Sequence, residues 1–212
     1  MPATYLTLFD AVGLSMDQVI ASIEPILASN GHSFDGVARR LERHDDGALY
    51  YCLETIDVGS LSEGIKEASE RSWPGVALEC HVRGQDSTIG VFSDESGTTV
   101  SFDDEGVLHY ERADDRDVFK EWLGVLLRCS VAIGAKVCVV QKGGKKCDVH
   151  PELLIEAVRE GRLERRENPI LVLAHRDLID YEDTAVLDLD RFRVRETVTG
   201  YILVTWLHPG DD

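Results

Sequence analysis

The most apolar part of the chain runs from 117 to 141, and its spacing predicts a helix followed by a strand. Apolar residues recur here with a 3.6-residue period, which predicts a helix that faces the core: Val118, Trp122, Val125, Leu126, Cys129 and Ile133. Gly134 follows where a helix commonly ends. The next apolar run has no polar interruption and predicts a strand buried on both faces: Val137, Cys138, Val139 and Val140. We expect the other elements to pack around this pair.

Upstream of this stretch, the pattern predicts one strand, one helix and a hairpin. The first strand covers 4–9, and the helix covers 16–29 with Ser15 as its N-cap. Pro25 lies inside that helix, and we expect it to kink or split the helix. Residues 32–36 are predicted to form a loop. Strands at 37–43 and 48–56 flank an Asp-Gly turn, which is a strong hairpin signal.

The remaining elements are mostly short strands in hairpins. Ser60 and Glu63 have the spacing of a capping box, which predicts a helix ending near Ser72. Strands at 76–82, 88–93, 98–103 and 107–111 form a predicted meander. After the central strand we expect a helix from 150 or 151 to about 160, a strand at 170–174, a short helix and loop over 176–190, and a hairpin of 192–198 with 201–207. This pattern predicts a single α+β domain over 1–212, with an antiparallel or mixed sheet and helices packed mainly on one face.

Composition narrows the class of protein. Apolar residues make up 43% of the chain, which is typical of a folded domain, and no apolar run approaches the length that spans a bilayer. The first residues lack a basic segment and include Asp10, so we expect a cytoplasmic protein without a signal peptide or membrane contact. Five cysteines, an odd number, favour reduced thiols. Four of them lie in apolar or alternating runs and are assigned to packing: Cys52, Cys80, Cys129 and Cys138.

The formal net charge is −17, which disfavours nucleic-acid binding through phosphate contacts. The acidity has three interpretations: solubility, adaptation to high salt, and a surface that meets a basic protein. Carboxylates are concentrated in the turns of the predicted meander. If those turns cluster at one end of the sheet they form a negative rim, and otherwise they are a solvated edge. The candidate partner-binding residues are Asp86, Asp94, Glu95, Asp103, Asp104, Glu105 and Glu111.

The loop after the central strand has glycines and lysines before a helix start, which is the layout of a phosphate cradle. Lys146, however, stands where the Walker pattern requires Ser or Thr, so a nucleotide site is disfavoured. The alternatives are a solvated turn and an exposed basic loop of Lys142, Lys145 and Lys146 that docks on a carboxylate-rich partner.

Cys147 and His150 are three residues apart at a predicted helix start, where a thiol is acidified and an imidazole can activate it. This pair supports an alternative function, a thiol-dependent hydrolase or transferase. The same pair is only half of a zinc site, and no complete ligand or catalytic set is present, so we expect no metal and no cofactor.

The preferred hypothesis is therefore a non-enzymatic, acidic protein-binding module of bacterial type. A toxin-neutralising (immunity) protein has this general character, and it would act by occluding a basic partner. A third possibility is a structural or scaffold subunit, which an exposed apolar patch would favour.

Alkylation tests the thiol alternative. If Cys147 is catalytic, iodoacetamide will modify it much faster than a model thiol at neutral pH, because its pKa is lowered. Ordinary reactivity of Cys147 would exclude the catalytic interpretation.

Overall fold

The computed structural model of the chain describes residues 4–11, 13–43, 49–82, 85–95, 97–105, 116–142, 151–162, 171–187 and 192–206. Within these described residues, ten strands form one sheet in the order β3-β2-β4-β5-β6-β1-β7-β8-β10-β9. The strands are β1 (Thr4–Ala11), β2 (His32–Arg43), β3 (Leu49–Asp57), β4 (Gly75–Val82), β5 (Gln85–Asp94), β6 (Gly97–Glu105), β7 (Val137–Lys142), β8 (Leu171–His175), β9 (Phe192–Glu196) and β10 (Tyr201–Trp206). Every neighbouring pair is antiparallel. The α+β fold with an antiparallel sheet is thus confirmed.

The α-helices are α1 (Met16–Ser29), α2 (Leu61–Glu70), α3 (Arg116–Ile133) and α4 (Pro151–Arg159), and a short 3-10 helix covers Glu182–Val186. Buried residues of α1, α2 and α3 belong to one hydrophobic cluster on one face of the sheet. Ile155 and Val158 of α4 belong to a second cluster on the other face. Three of the four α-helices in the described residues therefore share a face, as the sequence predicts.

The predicted pair of central helix and strand is confirmed. In α3 the described members of the predicted stripe are all buried: Trp122, Val125, Leu126, Cys129 and Ile133. Gly134 follows with a φ of 61°, a left-handed conformation that glycine adopts without strain.

Strand β7 is buried on both of its faces. Cys138 and Val140 lie in the cluster with α1, α2 and α3, while Val137 and Val139 lie in the cluster with α4. Because side chains alternate along a strand, this single segment contributes to both halves of the core.

Pro25 does not split α1, which runs unbroken from Met16 to Ser29. Pro25 and Ala21 are both exposed, so water can hydrate the carbonyl that proline leaves without an amide donor. The start of α1 is also as predicted, since Gln18 N donates to Ser15 Oγ at 3.3 Å.

The predicted loop at 32–36 is wrong, because these residues form the first part of β2. His32, Ser33 and Phe34 pair with the end of β4. The register then shifts between Phe34 and Ala38, and Gly36 adopts a φ of 88°. The polar and glycine residues that suggested a loop belong to a β-bulge, which has the same local composition.

Only half of the predicted capping box forms at α2. Glu63 N donates to Ser60 Oγ at 3.1 Å, but the Glu63 carboxylate accepts from Gly59 N rather than from Ser60. The predicted turn at 44–47 and the predicted strand at 107–111 lie outside the described residues.

Two helical glycines make a matched test of this packing. A Cβ on Gly64 would lie 2.5 Å from Cδ2 of Leu78, a fully buried residue of β4, whereas a Cβ on Gly124 would have no neighbour within 4 Å. We expect Gly124→Ala to raise the free energy of unfolding by about 0.5–1 kcal/mol through helix propensity. Gly64→Ala is expected to lower it by about 1–3 kcal/mol, because α2 must move away from the sheet. Urea denaturation measures both changes, and a stabilised Gly64→Ala variant would contradict the tight contact of α2 with β4.

Candidate functional site

The strand register brings four of the seven candidate acidic residues to one end of the sheet. Asp103, Asp104 and Glu105 are the last residues of β6, and Asp86 is the second residue of β5. Ser87 pairs with Asp104, so the backbone of Asp86 lies beside the end of β6. We call these four residues, Asp86, Asp103, Asp104 and Glu105, the acidic end.

Asp94 is the last residue of β5 and Glu95 begins the turn to β6, so both lie at the opposite end of the sheet. Eight residues of extended strand separate Asp86 from Asp94, which is roughly 27 Å. Consecutive hairpin turns alternate between the two ends of a sheet, so the predicted turns do not form one rim. Glu111 lies outside the described residues.

The carboxylate of Asp94 already has a cation beside it. Nε of Arg43 lies 3.5 Å from Oδ2 of Asp94, and the Arg43 guanidinium also lies over the ring of Phe92, 5.0 Å from its centroid. This pairing offsets the charge of Asp94. Glu95, by contrast, is exposed in its turn.

His81 of β4 lies between two carboxylates next to the acidic end. Nδ1 of His81 is 2.9 Å from Oδ1 of Asp86, and its Nε2 is 3.9 Å from Oδ2 of Asp35. The Asp86 side chain remains 82% exposed, so water screens this contact and leaves the carboxylate accessible to a partner. Among the described residues, no group of three or more His, Cys, Asp or Glu is placed to hold a metal ion.

Further charges lie on the same face of β4. Cys80 belongs to the core on the helix side, so its neighbours Glu79 and His81 are on the face away from α1, α2 and α3. Glu79 forms an ion pair with Arg39 of β2. Asp35, Glu79 and His81 were not predicted from the sequence. Glu79 and His81 alternate with the buried Cys80, and this alternation could have predicted that both lie on the face away from the helices.

The basic loop begins at the same end of the sheet as the acidic end. Lys142 of β7 pairs with Tyr5 of β1, and Tyr5 pairs with Asp104 of β6. Two strand spacings, about 10 Å, therefore separate the backbones of Lys142 and Asp104. The other residues of interest in this segment lie outside the described part of the chain: Lys145, Lys146, Cys147 and His150.

The described cysteines have the properties of packing residues. Burial raises the pKa of the Cys129 thiol to about 12 and the pKa of Cys138 well above its usual value. Cys52 on β3 is partly exposed, and its pKa is raised by desolvation and by Glu42. A reactive thiol needs a lowered pKa, so none of these three is a candidate nucleophile.

Hydrogen bonds connect polar and charged groups at the opposite end of the sheet. Lys136 Nζ donates to Oδ2 of Asp177 at 2.7 Å, and this hydrogen bond lowers the pKa of Asp177. The Tyr201 hydroxyl donates to the carbonyl of Ala135 at 2.6 Å, and burial raises the pKa of Tyr201 to about 12. These contacts join the ends of β7, β8 and β10, which is a structural role.

Neither a protein-family model nor a curated protein matches the sequence. Among solved structures, a Pseudomonas aeruginosa T6SS protein is similar over 96% of this chain, with 10% identity and a TM-score of 0.41. A Trypanosoma brucei AdoMetDC-delta26 monomer is similar over 98% of the chain, with 10% identity and a TM-score of 0.31. The chain spans 64% and 66% of the lengths of these two proteins. Neither likeness is close enough to assign a family or a function.

None of the described helices combines the length and the apolarity needed to cross a membrane.

The Lys136–Asp177 contact gives a prediction about pH. Lys136→Met should raise the pKa of Asp177 toward its ordinary value, because the main group that favours the carboxylate is removed. In the wild type this pair stabilises the folded state above the pKa of an unfolded aspartate, and the stabilisation is lost as pH falls through the lower folded pKa. NMR titration of the side-chain carboxyl measures the shift, with Lys66→Met as a distant control. An Asp177 pKa that is equal in the wild type and in Lys136→Met would show that the contact does not form.

Proposed function

We propose that this chain is a non-enzymatic protein-binding module that captures a basic protein through the acidic end. The proposed type is a bacterial toxin-neutralising (immunity) protein, which would act in the cytoplasm by covering the active surface of its partner. Its carboxylates would pair with lysines and arginines of that partner.

The observation that carries this proposal is the register of β5 and β6, which places Asp86 beside Asp103, Asp104 and Glu105. Four acidic residues whose backbones lie at adjoining strand ends would add to the negative potential at that end, which speeds the encounter with a basic surface. The net charge of −17 adds a long-range attraction for a positively charged partner. The exposed carboxylate of Asp86 supports direct pairing with a partner, because it needs no rearrangement of the sheet.

The two ends of the sheet differ in how well they suit this role. At the opposite end, Asp94 is offset by Arg43 and Asp177 by Lys136. Carboxylates that already have a cation offer less to a partner, since an existing pair must be exchanged. The strand register also brings four of the candidate carboxylates to the acidic end, against two at the opposite end, and we assign capture to the acidic end on this basis.

The partner itself is obtained by affinity purification from the native host and is then purified for binding measurements. We expect its dissociation constant to rise steeply between about 0.05 M and about 0.5 M NaCl, because salt screens contacts between charged surfaces. An affinity that does not change with salt would contradict capture by the acidic end.

Variants that replace carboxylates by neutral amides test which acidic residues contact the partner. The triple variant Asp103→Asn, Asp104→Asn and Glu105→Gln should weaken binding by about 10- to 100-fold, on the basis of roughly 0.5–1 kcal/mol for each lost charge pair. The matched control, Glu156→Gln, Glu182→Gln and Glu196→Gln, removes the same charge at exposed positions elsewhere. Equal losses in the two variants would show a general charge effect and would exclude the acidic end as the contact surface.

A further inference from the structure

His81 of β4 has a carboxylate beside each nitrogen of its ring. Nδ1 lies 2.9 Å from Oδ1 of Asp86, and Nε2 lies 3.9 Å from Oδ2 of Asp35. A neutral imidazole has one N–H donor and one lone pair, whereas a protonated imidazole has an N–H donor on each nitrogen. Only the protonated ring interacts favourably with both carboxylates, because in the neutral ring one of them faces a lone pair.

The strand register produces this arrangement. His81 pairs with Asp86 of β5 on one side and with Ser33 of β2 on the other. Directly opposed residues of antiparallel strands project from the same face with their Cβ atoms about 5 Å apart, so Asp86 is the cross-strand neighbour of His81. Asp35 follows Ser33 by two positions, and side chains two apart on a strand face the same side, which agrees with its contact to His81.

The other charges around His81 are already paired with each other. Glu79 lies two residues before His81 on the same face of β4, and it forms an ion pair with Arg39 of β2. Within the described part of the chain, no Lys or Arg lies within ion-pair distance of Asp86 or Asp35. His81 is therefore the group in the described residues that can place a positive charge beside these two carboxylates.

The protonation state of His81 changes the charge of the acidic end, because Asp86 belongs to it. When His81 is neutral, the Asp86 carboxylate is available to a lysine or arginine of a partner. When His81 is protonated, the imidazolium offsets that carboxylate, and a partner's cation must displace it. Histidine changes its charge between about pH 5 and 8, where Asp and Glu side chains stay mainly ionised.

We propose that His81 makes capture of a basic partner pH-dependent, because its protonated ring competes with the partner's lysines and arginines for Asp86. Asp35 assists this competition by favouring the protonated ring through Nε2. The inference rests on the proposed function, since it describes the regulation of the same site. His81 and Asp86 are both exposed and water screens their contact, so we expect an effect of about two- to fivefold on the dissociation constant.

Fluorescence anisotropy with a rhodamine-labelled oligolysine peptide, blocked at both termini, tests this inference. The lysines of the peptide do not titrate between about pH 5.5 and 7.5, so a pH dependence of binding comes from the chain. The measured quantity is the ratio of the dissociation constant at about pH 5.5 to that at about pH 7.5, at constant ionic strength. We expect the ratio of the wild type to exceed that of His81→Asn by about two- to fivefold, because asparagine does not take up a proton.

His175→Asn is the matched control. His175 also has a carboxylate beside its ring, with Nδ1 3.1 Å from Oδ2 of Asp177, but it lies at the opposite end of the sheet, so its variant should keep the ratio of the wild type. Asp86→Asn is a second test variant, and it should lower the ratio because the carboxylate for which His81 competes is removed. Asp86 is 82% exposed, so this substitution leaves the fold intact. Circular dichroism at both pH values checks that each variant is folded.

The outcomes separate this inference from the proposed function. Equal ratios in the wild type, His81→Asn and Asp86→Asn would overturn the role of His81 and leave capture by the acidic end intact. An equal fall of the ratio in His175→Asn and His81→Asn would also overturn it, since any histidine would then have the same effect. A peptide that does not bind the wild type at low salt, or that binds the triple variant of the acidic end as well as its matched control, would contradict the proposed function and this inference with it.

Discussion

The requirement that β7 be apolar on both of its faces controls the rest of this structure. Cys138 and Val140 complete the core beneath α1, α2 and α3, while Val137 and Val139 complete the core beneath α4. A strand in that position must have covering elements on both sides, because each uncovered valine would leave its apolar surface in water. The position of α4 on the opposite face from the other helices follows from this requirement. It also explains why the described residues form a hydrophobic cluster on each face of the sheet.

Strand register, rather than position in the sequence, decides which charged residues lie at the same end of the sheet. Asp86 and Asp104 are eighteen positions apart in the sequence, and the pairing of β5 with β6 brings their backbones to the same end of the sheet. Asp94 lies between them in the sequence, yet it is at the other end of the sheet beside Arg43. The arginines of β2 pair with carboxylates of β3, β4 and β5, so they offset acids on both sides of that strand. Strand order therefore decides which of these carboxylates have a cation beside them.

The local errors of the sequence interpretation have a common cause. The segment from His32 to Gly36 has the composition of a loop, and it becomes a strand because β4 supplies hydrogen-bonding partners for it. Pro25 is a helix breaker by propensity, but its exposed position in α1 lets water take the place of the missing donor. In both cases tertiary surroundings outweigh the local preference of the residue. Short windows of sequence do not contain those surroundings.

The sequence by itself determined the core. The 3.6-residue stripe of α3, the unbroken apolar run of β7, the hairpins and the α+β class all follow from periodicity, because burial imposes the period of the element on its apolar residues. Only the tertiary structure decided which charges become neighbours and which apolar residues stay exposed. Leu53 has the same side chain as the buried Leu78, and nothing in its local pattern marks it as exposed. Its position within a bulge of an edge strand is a property of the whole sheet, and no local period encodes the order of strands.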